Sequence, residues 1–311
     1  MKKWIALMLA LLLTLSLAAC GGNNTAGNNA ANNGGTANNT QQDGETAQPT
    51  GDGHYYGGTL VVATALEPTY YQTNYQWDGG VVYISHNILS KLCYWDEDTK
   101  TMVPDLAESW EASEDLMTWT FHLREGVTWH DGEPFTSADV KWTFDSILEY
   151  GDQAYTYAYI SMVESVETPD DYTVVFHMTD PCGTFVENVG DYQGPDILPA
   201  HIYEGTDPYT NPANQNPIGT GPFKFVEYEP GNYCRLEANT DYYGDGPYLD
   251  EVIYSFTPDL TTATTALEAG EVGWMTATPL LCRGGSPGHS GRDHRGHPGN
   301  QHCPVDPVQP Q

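Results

Sequence analysis

The sequence predicts a mixed α/β body, and three observations carry that expectation. Residues 117–123 alternate strictly, with Met117, Trp119, Phe121 and Leu123 on one face and Thr118, Thr120 and His122 on the other. That period of two marks a half-buried strand. Shortly afterwards the period lengthens, and Val140, Phe144, Ile147 and Leu148 form a helical stripe. Strand-like and helix-like segments then continue to mix, without an internal repeat, to about residue 270.

Taken in order, residues 59–65 (TLVVATA) form a short, mostly apolar run expected of a buried strand. An aromatic loop follows, ending at Asp78-Gly79-Gly80, and residues 81–92 read as a helix with Val81, Ile84, Ile88 and Leu92 on one side. A strand begins near Glu108, and the alternating strand follows it. Asp131-Gly132 makes a turn. Thr136 can cap the next helix, with Asp139 as a short capping-box acid. Residues 162–168 and 172–178 read as a hairpin joined by Pro169-Asp170-Asp171. Gly219, Gly221 and Pro222 mark a sharp turn into a strand. A last strand at 249–256 precedes a helix at 260–270 that turns Ala263, Ala266 and Leu267 inward.

The two ends differ from this body. Lys2 and Lys3 precede an apolar run over residues 5–15, too short for a comfortable membrane span, which leads to Leu17-Ala18-Ala19-Cys20. Residues 1–20 therefore resemble a bacterial lipoprotein signal, in which the thiol of Cys20 is acylated and anchors the chain to a membrane. Residues 21–54 are Gly, Asn, Thr, Ala and Gln, which cannot offset chain entropy by burial. They read as a tether with a reach of roughly 30 Å. The folded body is expected over 55–279 and a tail over 280–311. That tail has no aromatic residue and is rich in Gly, Pro and His. Three readings stand for it: an out-of-frame gene end, a disordered tail, or a metal site built from Cys282, His294, His297, His302 and Cys303. The His and Cys spacings fit no zinc finger.

The chain carries a formal charge of −31, with 11 basic residues against 42 acidic ones. Such a field repels nucleic acid and anionic surfaces, so no nucleic-acid partner is expected. The surface carboxylates fit a soluble secreted protein. Cys93, Cys182 and Cys234 remain in the body, with no CxxC pair, so a zinc ribbon or thioredoxin-type site is not expected. One disulfide among the three and buried free thiols both stay open. No HExxH, GxSxG or GxxxxGK[ST] pattern occurs, and Gly219-Thr220-Gly221 lacks the rest of a dinucleotide fingerprint. No catalytic residue, resident metal or cofactor is expected. His122 and His130 read as structural.

The segments PDLAESWEASED, TFHLREGVTWHDGEPFTSADV, TVVFHM, ILPAHIY, PIGTGPFKF and NTDYYGDGPYLDEVIY occur in the order found in one family. Over roughly residues 57 to 278 the chain resembles the extracytoplasmic solute-binding proteins, family 5, that serve peptide, nickel and opine importers. The resemblance implies the first lobe of a two-lobed periplasmic-binding-protein-like fold, with an extra subdomain, and a second lobe missing from this chain. It implies capture of oligopeptides or dipeptides, hinge closure, and delivery to the permease of an ABC importer. It also implies a monomer outside the cytoplasm and no enzymatic activity. A nickel chelate, haem or another small solute on the same scaffold is the alternative. A secreted surface hydrolase and a truncated fragment without function are the readings from other classes. In open α/β lobes ligands sit beyond the carboxyl ends of strands. Tyr70, Tyr71, Asn74, Tyr75 and Trp77, in the loop after the first strand, are therefore the candidate ligand contacts.

Overall fold

A computed structural model describes residues 56–276. The expected signal, Cys20, the tether and the 280–311 tail lie outside the described residues. The chain opens with β1 (Thr59–Thr64), a single helical turn α1 (Val82–Ser85), a hairpin of β2 (Cys93–Asp96) and β3 (Thr101–Pro104), then β4 (Ala107–Ala112) and β5 (Thr118–Leu123). Helix α2 (Ser137–Tyr150) and the short α3 (Tyr157–Ile160) lead to β6 (Val163–Asp170) and β7 (Thr173–Met178). After the short helices α4 (Phe185–Val189) and α5 (Ala200–Tyr203) come β8 (Phe223–Glu229), β9 (Tyr233–Ala238) and β10 (Glu251–Phe256). Helix α6 (Leu260–Glu268) and β11 (Trp274–Met275) close the described chain.

These strands build two larger sheets beside the small β2–β3 hairpin. One is four-stranded and antiparallel, in the order β4-β5-β7-β6. The other is five-stranded, in the order β11-β1-β10-β9-β8, with β1 parallel to both β10 and β11. The alternation of β5 is realised as expected: Trp119, Phe121 and Leu123 are buried while His122 is exposed. Opposite it, Val174, Phe176 and Met178 of β7 point inward. Phe176 meets Phe144 of α2 at 4.7 Å, Phe185 at 5.0 Å and Phe121 at 5.5 Å between ring centroids. Each such ring contributes on the order of 2 kcal/mol through burial. One connected apolar core runs from this group to Leu236, Val252 and Tyr254 of the five-stranded sheet.

Helix α2 begins where the sequence says it should. The Thr136 N–H donates to Asp139 Oδ2 at 2.9 Å, and the Thr136 hydroxyl takes up N–H groups of the first turn. The Asp139 carboxylate also accepts Ala200 N–H at 2.8 Å, so the cap joins α2 to α5. Val140, Phe144 and Ile147 are fully buried.

The expected helix at 81–92 is corrected to a much shorter element, α1, with turns continuing to Leu89. The reason is competition for its carbonyls. Gly221 N–H donates to Ile88 O at 2.8 Å, and Phe223 N–H donates to Asn87 O at 2.9 Å. The Gly219–Gly221 turn therefore caps the chain where a longer helix would continue. It can approach so closely because it lacks side chains. A Cβ on Gly219 would lie 1.8 Å from Ile88 O, and one on Gly221 2.7 Å from it. His130 clasps the same turn, its Nδ1 accepting Gly219 N–H at 3.2 Å while its Nε2 lies 3.0 Å from Gly221 O. That pair of bonds selects the neutral Nε2–H tautomer. Burial, aided by Lys224, holds the imidazole pKa down at about 4 against the opposing pull of the Gly221 carbonyl and of Asp131.

Smaller differences concern the ends of two elements. Strand β6 runs to Asp170, into the expected turn, and α6 ends at Glu268 rather than at Gly270. Cys93, Cys182 and Cys234 are free thiols, the first and last of them buried.

Candidate functional site

The loop after β1 does not spread into solvent. It runs inward and presents its residues to two environments. Tyr71 is fully buried against Phe225 and Tyr228 of β8. Tyr75 is 2% exposed, donates its hydroxyl to Ser146 Oγ of α2 at 2.7 Å and meets the rings of Tyr150 and Tyr209. Asn74 is fully buried, with both ends of its carboxamide bonded to the backbone of Asp196. Burial pushes the Tyr75 hydroxyl well above its ordinary range. These three of the five candidate residues thus hold the loop. Tyr70 is half-buried, and burial together with the Asp78 carboxylate raises its pKa to about 12.

Trp77 differs from the rest. It is half-buried and stacks on Tyr155 at a centroid distance of 5.0 Å and an interplanar angle of 16°. Tyr192 stands edge-on to Trp77 at 6.0 Å and edge-on to the His86 ring at 5.0 Å. Tyr192 is 52% exposed. Trp77, Tyr155, Tyr192 and His86 therefore form one aromatic patch open on one side. A cavity of about 600 Å³ adjoins it, lined by His86, Lys91, Tyr94, Trp95, Tyr192 and Asp196, among others. The Tyr94 and Trp95 rings, at 47% and 42% exposure, face outward on β2.

Beneath the patch lies a buried charge cluster. Lys91 Nζ pairs with Asp196 Oδ1 at 2.9 Å, with the two side chains 8% and 0% exposed. His86 Nε2 lies 3.9 Å from the same oxygen. Burial alone would raise the Asp196 pKa, but Lys91, His86 and the Thr73 hydroxyl outweigh it and hold the carboxyl below its usual range. Burial, aided by Lys91, pushes the His86 pKa down to about 4 against the pull of Asp196. The ring is therefore neutral near pH 7. Chemically, the patch offers flat π faces for apolar or amide groups and the cavity a polar floor. Among the described residues, no group of three or more His, Cys, Asp or Glu side chains gathers in a way that could hold a metal ion. The buried carboxyls pushed upward by desolvation, Asp105 and Asp139, are engaged by Tyr243 and by the α2 cap respectively.

Of the expected contacts, only Trp77 joins the patch. Tyr155, Tyr192 and His86 were not singled out by the sequence. They reach Trp77 only through long-range folding, and no local pattern distinguishes them from the chain's other 19 tyrosines or from its histidines in general.

Residues 101–281 match the sequence profile of the bacterial extracellular solute-binding proteins, family 5 (its middle region). The chain belongs to this family. It is 34% identical over 283 residues to the oligopeptide-binding protein AppA of Bacillus subtilis, a match covering 88% of this chain and 48% of AppA. It is 31% identical over 205 residues to the dipeptide-binding protein of Escherichia coli, covering 59% of this chain and 38% of that protein. The chain thus spans less than half the length of these relatives. Among solved structures, AppA in complex with a nonapeptide superposes with a TM-score of 0.66 at 35% identity, over 70% of this chain and 43% of that one. NikZ of Campylobacter jejuni in complex with Ni(L-His) superposes with a TM-score of 0.63 at 30% identity, over 69% and 42%. The mixed α/β architecture is thus that of periplasmic binding proteins, represented by part of their length. At the level of the family, members bind solutes outside the cytoplasm and are not enzymes.

Proposed function

We propose that this chain is the solute-capturing portion of the substrate-binding component of an ABC importer, and that its solute is a short peptide. The observation that carries this reading is the aromatic patch of Trp77, Tyr155 and Tyr192, held open beside a cavity of about 600 Å³. Flat rings take up peptide side chains and amide planes without demanding one sequence. The relatives named for oligopeptide and dipeptide binding support the same solute class. Delivery to a membrane permease follows from the importer reading, as does function as a monomer. Anchoring through an acylated Cys20 completes the proposal. Incorporation of a labelled fatty acid that disappears in Cys20→Ser checks that anchor.

Thermal unfolding with and without added peptide tests the solute. A ligand at a hundredfold its Kd adds about 2.7 kcal/mol to stability, a shift of several degrees. Peptides that leave the melting temperature unchanged, while another solute raises it, would replace the peptide assignment. A nickel chelate is the second reading, motivated by the likeness to NikZ. With no metal-ligating cluster among the described residues, the chelate would have to arrive with its own ligands.

A further inference from the structure

We infer that Asp196 is the positioning residue of the aromatic patch, fixing the mutual geometry of rings that four separate chain segments contribute. This inference rests on the patch being the ligand surface. Each segment carries one ring and is linked to Asp196 either directly or through one intermediate residue. In the loop after β1, Thr73 Oγ1 donates to Asp196 Oδ2 at 2.5 Å. The neighbouring Asn74 carboxamide donates to Asp196 O at 2.7 Å and accepts from Asp196 N–H at 2.9 Å. That loop carries Trp77. Asn74 O in turn accepts the Thr156 N–H at 3.0 Å and the Thr156 hydroxyl at 3.2 Å, and the residue before Thr156 is Tyr155. Lys91 Nζ donates to Gly194 O while pairing with Asp196, which ties down the turn bearing Tyr192. His86, the fourth ring, faces the same carboxylate and Tyr192.

The physical argument is one of specificity rather than adhesion. A buried ion pair adds little net stability compared with apolar side chains of the same volume, because desolvation offsets the attraction. Directional bonds do fix the register of the groups that make them. Here the fixed groups are the segments that carry the patch, joined across 122 residues of sequence. Thr73, Asn74, Thr156 and Asp196 are all essentially fully buried, so water cannot replace a lost partner cheaply.

The test uses the full 311-residue chain labelled with fluorotryptophan and read by fluorine NMR. The Trp77 resonance is assigned by its loss in Trp77→Phe. Two variants probe the hub: Asp196→Asn, which removes the charge, and Thr73→Val, which removes one bond at nearly constant volume. The expected result is that the Trp77 resonance shifts or broadens in both variants. The resonances of Trp119 and Trp129, in the core and at the His130 turn, stay in place. Affinity for trialanine should fall about fivefold in Thr73→Val, the worth of one hydrogen bond. An unmoved Trp77 resonance in both variants would overturn the inference. So would a collapse of all tryptophan resonances together in both, which would make Asp196 a support of the whole lobe. If the unmodified chain takes up no trialanine yet Trp77 alone responds to the variants, the positioning role stands and the peptide reading is the part that falls.

Discussion

The four-stranded sheet and the aromatic patch are built in opposite ways. The sheet comes from segments that follow one another closely: β4 pairs with β5 and β6 with β7, antiparallel and through short connections. Its core is apolar and its residues announce themselves by period. The patch comes from four distant segments tied by buried polar groups around Asp196. The stability of the sheet and the geometry of the patch therefore draw on different physics in this molecule. Apolar burial holds the sheet without regard to exact angles, whereas directional hydrogen bonds set the angles of the rings in the patch.

Substitutions should separate the two regions. Phe176→Ala, at the centre of the sheet core, is expected to cost about 3–5 kcal/mol in denaturant unfolding. If it cost less than about 1 kcal/mol, the claim that this ring cluster organises the sheet would fail. The next largest effect concerns pH. The folded lobe keeps His86 and His130 neutral down to about pH 4, whereas an unperturbed histidine takes its proton near 6.5. Between those values the unfolded chain binds more protons, so stability is fully present above about pH 6.5 and declines as pH falls toward 4. The decline should be on the order of 3 kcal/mol per histidine, and His130→Gln should flatten it. A slope that survives unchanged in His130→Gln would show that other groups set it.

Thr136→Ala removes the α2 cap and should cost about 1 kcal/mol, with ligand affinity unchanged. Trp77→Ala should invert that pattern. It removes a half-buried ring from the patch, so unfolding shifts by less than about 1 kcal/mol while peptide affinity falls at least about tenfold. Equal affinity in titration calorimetry would remove Trp77 from the ligand surface.

Much of the fold was legible beforehand, and the reason is period. The alternation at Trp119, Phe121 and Leu123, the capping box at Thr136 and Asp139, and the hairpin ending at Met178 all appear as expected. Strand β9 was not foreseen, although Cys234 and Leu236 turn inward from it, because its alternation sits in a short run rich in polar residues. Helix α1 was overextended, because the apolar spacing of Val81, Ile84 and Ile88 says nothing about which distant N–H groups will claim the carbonyls of Asn87 and Ile88. The site was less legible. Aromatic residues after β1 drew the candidate contacts to one loop, within which Tyr71 and Tyr75 are core and Asn74 is a tie. Composition records the type of a side chain and not the side of the chain that the core will take.

By itself, then, the sequence determined the elements whose cause is local: alternation buries one face of a strand, a hydroxyl and a carboxylate start a helix, and the ordered segments place the chain in its family. The tertiary structure decided which rings meet. Trp77, Tyr155, Tyr192 and His86 become neighbours only because Asp196 finds Thr73 and Asn74 across more than a hundred residues. Such a contact depends on the closure of long loops, whose cost and geometry belong to the folded whole and leave no mark on any short stretch of sequence.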